Sequence, residues 1–178
     1  MHETQTVLRV GGNRKYKLDS SATIPILGFS CVLVKVIAVA LNPADAKMVD
    51  LSAATGTIGG YDFAGHIVKV GSDVVRDLKI GDRVCGPVFG NNPEKPDCGA
   101  FCEYVEVEAQ LVLKLPDNIS YEDGAGLGIA SATVGMALYH SLSLPMPTVV
   151  AETPKKNFAM VYGGSTSCGT LAVQLLVR

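Results

Sequence analysis

Apolar and polar positions alternate from Val7 to Leu18, and the alternation breaks at Gly11-Gly12-Asn13, a turn composition, so the chain opens as a hairpin of two strands. Residues 31–40 follow a different pattern. They are rich in β-branched side chains and too continuously apolar to keep one wet face, which predicts a strand buried on both sides. Four further strands are expected at 63–70, 83–88, 100–107 and 111–114, punctuated by Gly71, Gly81-Asp82 and Asp117-Asn118.

After Pro116 the period changes. Ser120 is placed to cap a helix whose first turn holds Glu122 and Asp123, acids that favour the positive end of the helix dipole. Residues 129–142 read as a closely packed helix with Thr133, Ala137 and His140 on one face, stopped by Leu144-Pro145-Met146-Pro147. A polar linker with a proline and two lysines covers 151–157. Residues 158–162 then read as a short buried strand, 163–169 as a turn of glycines and hydroxyls, and 170 onward as a helix. The order predicts a mixed β and α/β fold with three parts: a β-rich domain over 1–125, a connecting helix and linker over 126–156, and the opening βα unit of an α/β domain over 157–178. A dinucleotide-binding sheet needs several parallel strands covered on both faces, so that last unit is expected to be truncated.

Composition narrows the function classes. A chain of 178 residues can bury one full core and has room for a second domain only if that domain is small or incomplete. With 48% hydrophobic and 18% charged residues and a net charge of −2, nothing favours nucleic acid. No apolar run is long enough to span a bilayer, and the first six residues have neither the basic nor the apolar region of a secretory signal, so no membrane association and a cytoplasmic location are expected. The scattered thiols Cys31, Cys85, Cys98, Cys102 and Cys168 make no disulfide framework and read as free cysteines in a reducing compartment.

The strongest local chemistry lies in the turn Gly164, Ser165, Thr166, Ser167, Cys168, Gly169, set between a predicted strand and a predicted helix. Glycine at its first position allows a sharp bend, glycine at its last allows close packing, and the helix N-terminus offers free N–H groups to a pyrophosphate. Thr166 stands where the middle glycine of such a motif belongs. The residue that would read the ribose lies some twenty positions further on, past Arg178, so the chain itself does not separate NAD from NADP. Cys168 reads as a small apolar filler, though a helix N-terminus lowers a thiol's pKa.

Three segments together resemble the medium-chain dehydrogenase/reductase family: Ala40-Leu41-Asn42-Pro43-Ala44-Asp45-Ala46-Lys47, Gly60-Tyr61-Asp62-Phe63-Ala64-Gly65, and Lys79-Ile80-Gly81-Asp82-Arg83-Val84. The resemblance runs from about Val7 to the end and implies a GroES-like β-barrel catalytic domain followed by the first βα unit of a Rossmann domain. Val88-Phe89-Gly90-Asn91-Asn92-Pro93, Asp97-Cys98-Gly99-Ala100-Phe101, Leu142-Ser143-Leu144-Pro145-Met146-Pro147 and Val161-Tyr162-Gly163-Gly164-Ser165-Thr166 look most like fungal trans-acting enoyl reductases, which work beside polyketide synthases.

Zinc-dependent members of the family carry a cysteine where this chain has 42–47 and a His-Glu pair where it has Tyr61-Asp62. Asp62 alone does not supply a catalytic zinc site, and the C-x₃-C pair Cys98 and Cys102 lacks a second pair to close a tetrahedron, so no metal is expected. His66 reads as a packed histidine and Tyr61 as an aromatic core residue. What the resemblance implies is an NADPH-dependent enoyl reductase acting in trans on a chain bound to a polyketide synthase carrier, as a monomer. Its nicotinamide side would be met by Asn42, Ala44, Asp45, Ala46 and Lys47, and its phosphates by Gly164, Ser165, Thr166, Ser167, Cys168 and Gly169. Lys47 and Thr133 would be the catalytic groups, and Thr133, Val134, Gly135, Met136, Ala137, Leu138, Tyr139 and His140 would line the substrate. Two other readings share these motifs: a free-standing zinc-free quinone or enone oxidoreductase, and an inactive fragment serving as a binding module.

Overall fold

The computed structural model describes residues 4–51, 54–146 and 158–177, and divides the chain into two compact units, 1–128 and 129–178. The predicted linker at 151–157 and Pro147 lie outside the described residues.

In the first unit the opening hairpin forms from β1 (Thr4–Val10) and β2 (Tyr16–Thr23), antiparallel, with Val10 opposite Tyr16 across the turn. The other edge of β1 is not free. Its backbone bonds to Phe101, Thr57 and Gly59, which fastens the hairpin to the rest of the unit. The turn contains Arg14 at φ 58, the left-handed region in which a non-glycine residue is uncommon.

The main sheet has five antiparallel strands. They are β3 (Cys31–Ala40), β4 (Asp62–Val70), β5 (Arg83–Pro87), β6 (Tyr104–Glu108) and the two-residue β7 (Leu113–Lys114), in the order β6-β3-β4-β5-β7. Val32, Val34, Phe63, Ile67, Val84 and Val105 form the centre of the core. β3 departs from the expectation of burial along its whole length. Its first four residues are buried, but Lys35, Ile37 and Val39 are exposed and alternate with half-buried Val36, Ala38 and Ala40, so one face of the strand is wet from Lys35 onward. The predicted strand over 100–107 starts only at Tyr104, and 111–114 shortens to Leu113–Lys114 after a single 3₁₀ turn.

Two helices complete this unit. α1 (Pro43–Leu51) takes in most of the motif segment 42–47, for which the pattern predicted no helix. α2 (Tyr121–Ala125) starts as predicted, with the Ser120 hydroxyl accepting the Asp123 N–H at 3.0 Å, and closes a second core of Ala64, Cys85, Leu115 and Ala125.

The second unit holds α3 (Gly128–Gly135), which begins at the unit boundary and runs into a π-helical stretch over Met136–Ser141, and α4 (Ser167–Leu176). α4 begins three residues before the expected start at Thr170. Residues 158–162, predicted as a buried strand, belong to neither sheet, and Phe158 and Tyr162 are each 99% exposed. A parallel strand is held by the strands beside it, and no described strand lies alongside this one.

Phe63 is fully buried at the middle of the core, so Phe63→Ala should cost about 3–5 kcal/mol of unfolding free energy, measured by urea denaturation. A loss below about 1 kcal/mol would show that the sheet's core lies elsewhere.

Candidate functional site

The segment 42–47 folds as it does for a local reason. Asn42 precedes Pro43, which suits the first helical position because its missing N–H would be unpaired there anyway. Asp45 then reaches back, and its Oδ2 accepts the Asn42 backbone N–H at 2.6 Å, while the Asp45 N–H bonds to the Asn42 carbonyl at 2.9 Å. The Asn42 side chain is therefore free for other work. Its Nδ2 donates to Asp62 Oδ2 at 2.9 Å, tying the start of α1 to the start of β4.

Both carboxyls are withdrawn from water: Asp45 is 5% exposed and Asp62 1%. Burial pushes the Asp45 carboxyl above its ordinary value; the Asn42 N–H works against that shift, and the charge of Asp62 adds to it. Tyr16 closes the group from the hairpin. Its hydroxyl stands 3.1 Å from the Asp45 carbonyl and 3.2 Å from Asn91 Oδ1, and its single hydrogen serves one of these acceptors at a time. Asn91 is fully buried at φ 55, and its Nδ2, like Asp45 Oδ1, has no hydrogen-bond partner among the described residues. Tyr61 is buried beside them against Phe89, with ring centroids 6.1 Å apart, and burial first, then Asp45, raises its phenol pKa. Gly60 makes the close packing possible, since at φ 91 a Cβ there would meet the Phe101 backbone nitrogen at 2.8 Å.

Next to this group opens a cleft of about 550 Å³, bordered by Arg14 and Lys15 of the hairpin turn, Val39 and Leu41 at the end of β3, Val49 of α1 and the Phe101 ring. Asn42, Asp45 and Ala46 also line it. Lys47 does not; its ammonium is exposed and takes part in no ion pair among the described residues. Ala44 is half-buried on α1.

In the second unit Thr133, Met136, Ala137 and His140 are exposed, whereas Val134 and Leu138 are buried, and Gly135 and Tyr139 are intermediate. The predicted face of Thr133, Ala137 and His140 is thus a solvent face here. The Tyr139 hydroxyl is buried with no partner among the described residues.

The hydroxyl-rich turn differs in detail from its prediction. Gly163, not Gly164, takes the positive φ of 84 that the bend requires. Thr166 is the N-cap of α4: its Oγ1 accepts the Gly169 N–H at 3.0 Å and donates to the Gly163 carbonyl at 2.8 Å. A Cβ on Gly169 would collide with the Gly163 carbonyl oxygen, so the bend is as tight as a phosphate-binding turn must be. Ser165 and Ser167 stay exposed, Cys168 is half-buried, and the first turn of α4 keeps backbone N–H groups available to an anion. These residues fit a phosphate of a dinucleotide.

Among the described residues no group of three or more His, Cys, Asp or Glu side chains is placed to hold a metal. Cys102 is half-buried; its desolvation pushes the thiol up to about 12, with help from neighbouring Cys98, and its Sγ–H donates to the Gly99 carbonyl.

Residues 29–117 match the alcohol dehydrogenase GroES-like domain, and the chain belongs to that family. Among curated proteins it is 49% identical to trans-enoyl reductase caaB of Aspergillus niger, over 97% of this chain and 49% of the relative. It is 45% identical to trans-enoyl reductase thnE of Trichoderma harzianum, over 97% of this chain and 48% of the relative. The quinone oxidoreductase of Coxiella burnetii shares the fold at a TM-score of 0.70 and 24% identity, covering 97% of this chain and 53% of that one. The motif resemblance is borne out, and the chain spans about half the length of the curated relatives it matches.

Missed from sequence were Tyr16, Asn91 and the cleft beside them. The run Arg14-Lys15-Tyr16-Lys17 was the available signal, but nothing in it shows that β1 is pinned at residues 56–59 and 101.

Because the Asp45 carboxyl titrates above the ordinary 3.8 in the folded chain, the folded state holds that proton more tightly than the unfolded state. This group's contribution to stability therefore falls as pH rises from the ordinary value through the raised one, and the penalty is complete at neutral pH. Asp45→Asn keeps an acceptor for the Asn42 N–H and removes the charge facing Asp62. It should raise Tm relative to the parent at about pH 7 and lose that advantage toward about pH 3. Equal Tm differences at both pH values would show that burial of the charge is not what the substitution relieves.

Proposed function

We propose that this chain is the GroES-like portion, with the first phosphate-binding turn, of an NADPH-dependent enoyl reductase that acts in trans on an α,β-unsaturated acyl chain carried by a polyketide synthase. The observation that carries the reading is the Asn42–Asp45 cap on α1, which is built without a metal ligand and leaves Lys47, two residues after Asp45, exposed and in no ion pair among the described residues. The names of the relatives, trans-enoyl reductases at 45–49% identity, support the same activity.

The cofactor supplies hydride to the β-carbon when bound. The chain's share is binding, orientation and charge. Asn42, Ala44, Asp45, Ala46 and Lys47 are assigned to the nicotinamide side, and Gly164, Ser165, Thr166, Ser167, Cys168 and Gly169 to phosphate. Of these last, the amides of the first α4 turn and the exposed hydroxyls of Ser165 and Ser167 are the donors, since the Thr166 hydroxyl is taken up by its cap. Reduction of a conjugated C=C places negative charge on the thioester oxygen, and an ammonium held near that oxygen stabilises it. Lys47 is assigned that role, and the Thr133 hydroxyl that of a hydrogen-bond donor. The solvent face Thr133, Met136, Ala137 and His140, with Gly135 and Tyr139 beside it and Val134 and Leu138 packed behind, is assigned to the acyl chain.

The test joins residues 1–178 to the remaining C-terminal part of the caaB relative and follows NADPH absorbance with an enoyl thioester. The chimera should turn over, and the 178-residue chain alone should show little or no turnover. Lys47→Ala in the chimera should lower kcat/KM about 10-fold to 100-fold with Tm unchanged. Turnover of small quinones without turnover of enoyl thioesters would replace this reading with a quinone oxidoreductase. Rapid NADPH oxidation by the chain alone would overturn its assignment as part of the site.

A further inference from the structure

Arg14, Lys15 and Lys17 crowd the turn of the opening hairpin, and all three are exposed. None takes part in the ion pairs of the described residues, whereas Arg9, Lys79, Arg83 and Lys114 each hold a carboxylate. Arg14 also occupies a left-handed backbone position that glycine would take without strain, so local folding does not explain the arginine there. Arg14 and Lys15 stand at the lip of the 550 Å³ cleft, whose apolar lining includes Val39, Leu41, Val49 and the Phe101 ring. Leu41, just past the end of β3, is 81% exposed and adds to this apolar lining. Two acids share the lining. Asp45 is folded into the α1 cap, and Asp50 is an exposed anion that balances one of the cations.

An apolar cleft with a guanidinium and an ammonium at its mouth is complementary to an acyl chain whose head carries a phosphate. We propose that this cleft seats the phosphopantetheine arm that carries the acyl group, with the pantetheine portion against Leu41, Val39 and Phe101 and the phosphate on Arg14 and Lys15. The proposal rests on the carrier-bound substrate of the previous subsection and gives that substrate a docking surface. The volume suits it, since pockets that bury most of a ligand of this size fall within about 300–1,000 Å³. Arginine adds geometry as well as charge, because its planar fork meets two phosphate oxygens at once.

The experiment is calorimetric titration of the 178-residue chain with S-octanoyl-phosphopantetheine and with S-octanoyl-pantetheine, two ligands that differ by the phosphate alone. The phosphorylated ligand should bind about tenfold tighter at low salt and lose that advantage as salt is raised. The double variant Arg14→Gly, Lys15→Gln should bring both ligands to the same affinity while melting no lower than the parent, since glycine fits the left-handed position. Leu41→Asp should weaken both ligands together. Retention of the tenfold preference in the double variant would overturn the proposal, as would equal affinity of the parent for the two ligands. Binding of the parent to phosphatidylglycerol vesicles that is lost in the double variant, with no preference between the two thioesters, would assign the surface to lipid instead.

Failure here is separable from failure of the reductase reading. Turnover of an enoyl-N-acetylcysteamine thioester by the chimera, without phosphate discrimination by the chain, would leave the reductase standing and remove the docking surface. Discrimination without turnover would do the reverse.

Discussion

The hydrogen bond from the Asn42 amide to Asp62 Oδ2 connects the first residue before α1 to the first residue of β4, and the functional reading of the first unit depends on it. It holds because two carboxyls that would otherwise repel in a dry setting are each given a donor: Asp62 receives the Asn42 side chain, and Asp45 receives the Asn42 backbone. One residue thus gives each acid a donor, while Asp45 Oδ1 keeps no partner among the described residues. The helix direction, the placement of Lys47 on an exposed turn and the floor of the neighbouring cleft all follow from that division of labour. Tyr16 then fastens the hairpin to the same point through the Asp45 carbonyl.

Much of the first unit was legible because its signals are local. The glycine turn at 11–13, the Ser120 cap and the strand punctuation at Gly71 and Gly81 each specify backbone geometry within a few residues. α1 was missed although its markers are present: Asn42 before Pro43 with Asp45 three positions on is a helix start. Its alanines and lone lysine gave no apolar period to confirm it. The half-wet β3 was misread for the opposite reason. Its sequence is apolar but for Lys35, and what packs on each of its faces is set by residues far along the chain.

The site was legible as motifs and illegible as a cavity. Asn42, Asp45 and Lys47 could be named from their segment, whereas Tyr16 meets Asp45 across 29 positions and Asn91 across 75, a proximity set by the hairpin's attachment to residues 56–59 and 101. In the turn before α4 the substitution of threonine for the middle glycine was visible, but not its result. Thr166 became a helix cap, and the bend moved to Gly163.

The π-helical stretch at Met136–Ser141 carries a consequence for how this segment tolerates change. Such a stretch is an α-helix with one residue too many, so the side chains after it are offset by about one hundred degrees from where regular winding would put them. Regular winding would by itself put His140, seven positions after Thr133, on the same side, so the wide turn shifts the imidazole around the helix relative to the threonine while both stay exposed. A lineage that lost one position between Gly135 and Ser141 would keep a helix there and would rotate every later side chain of the segment by about one hundred degrees.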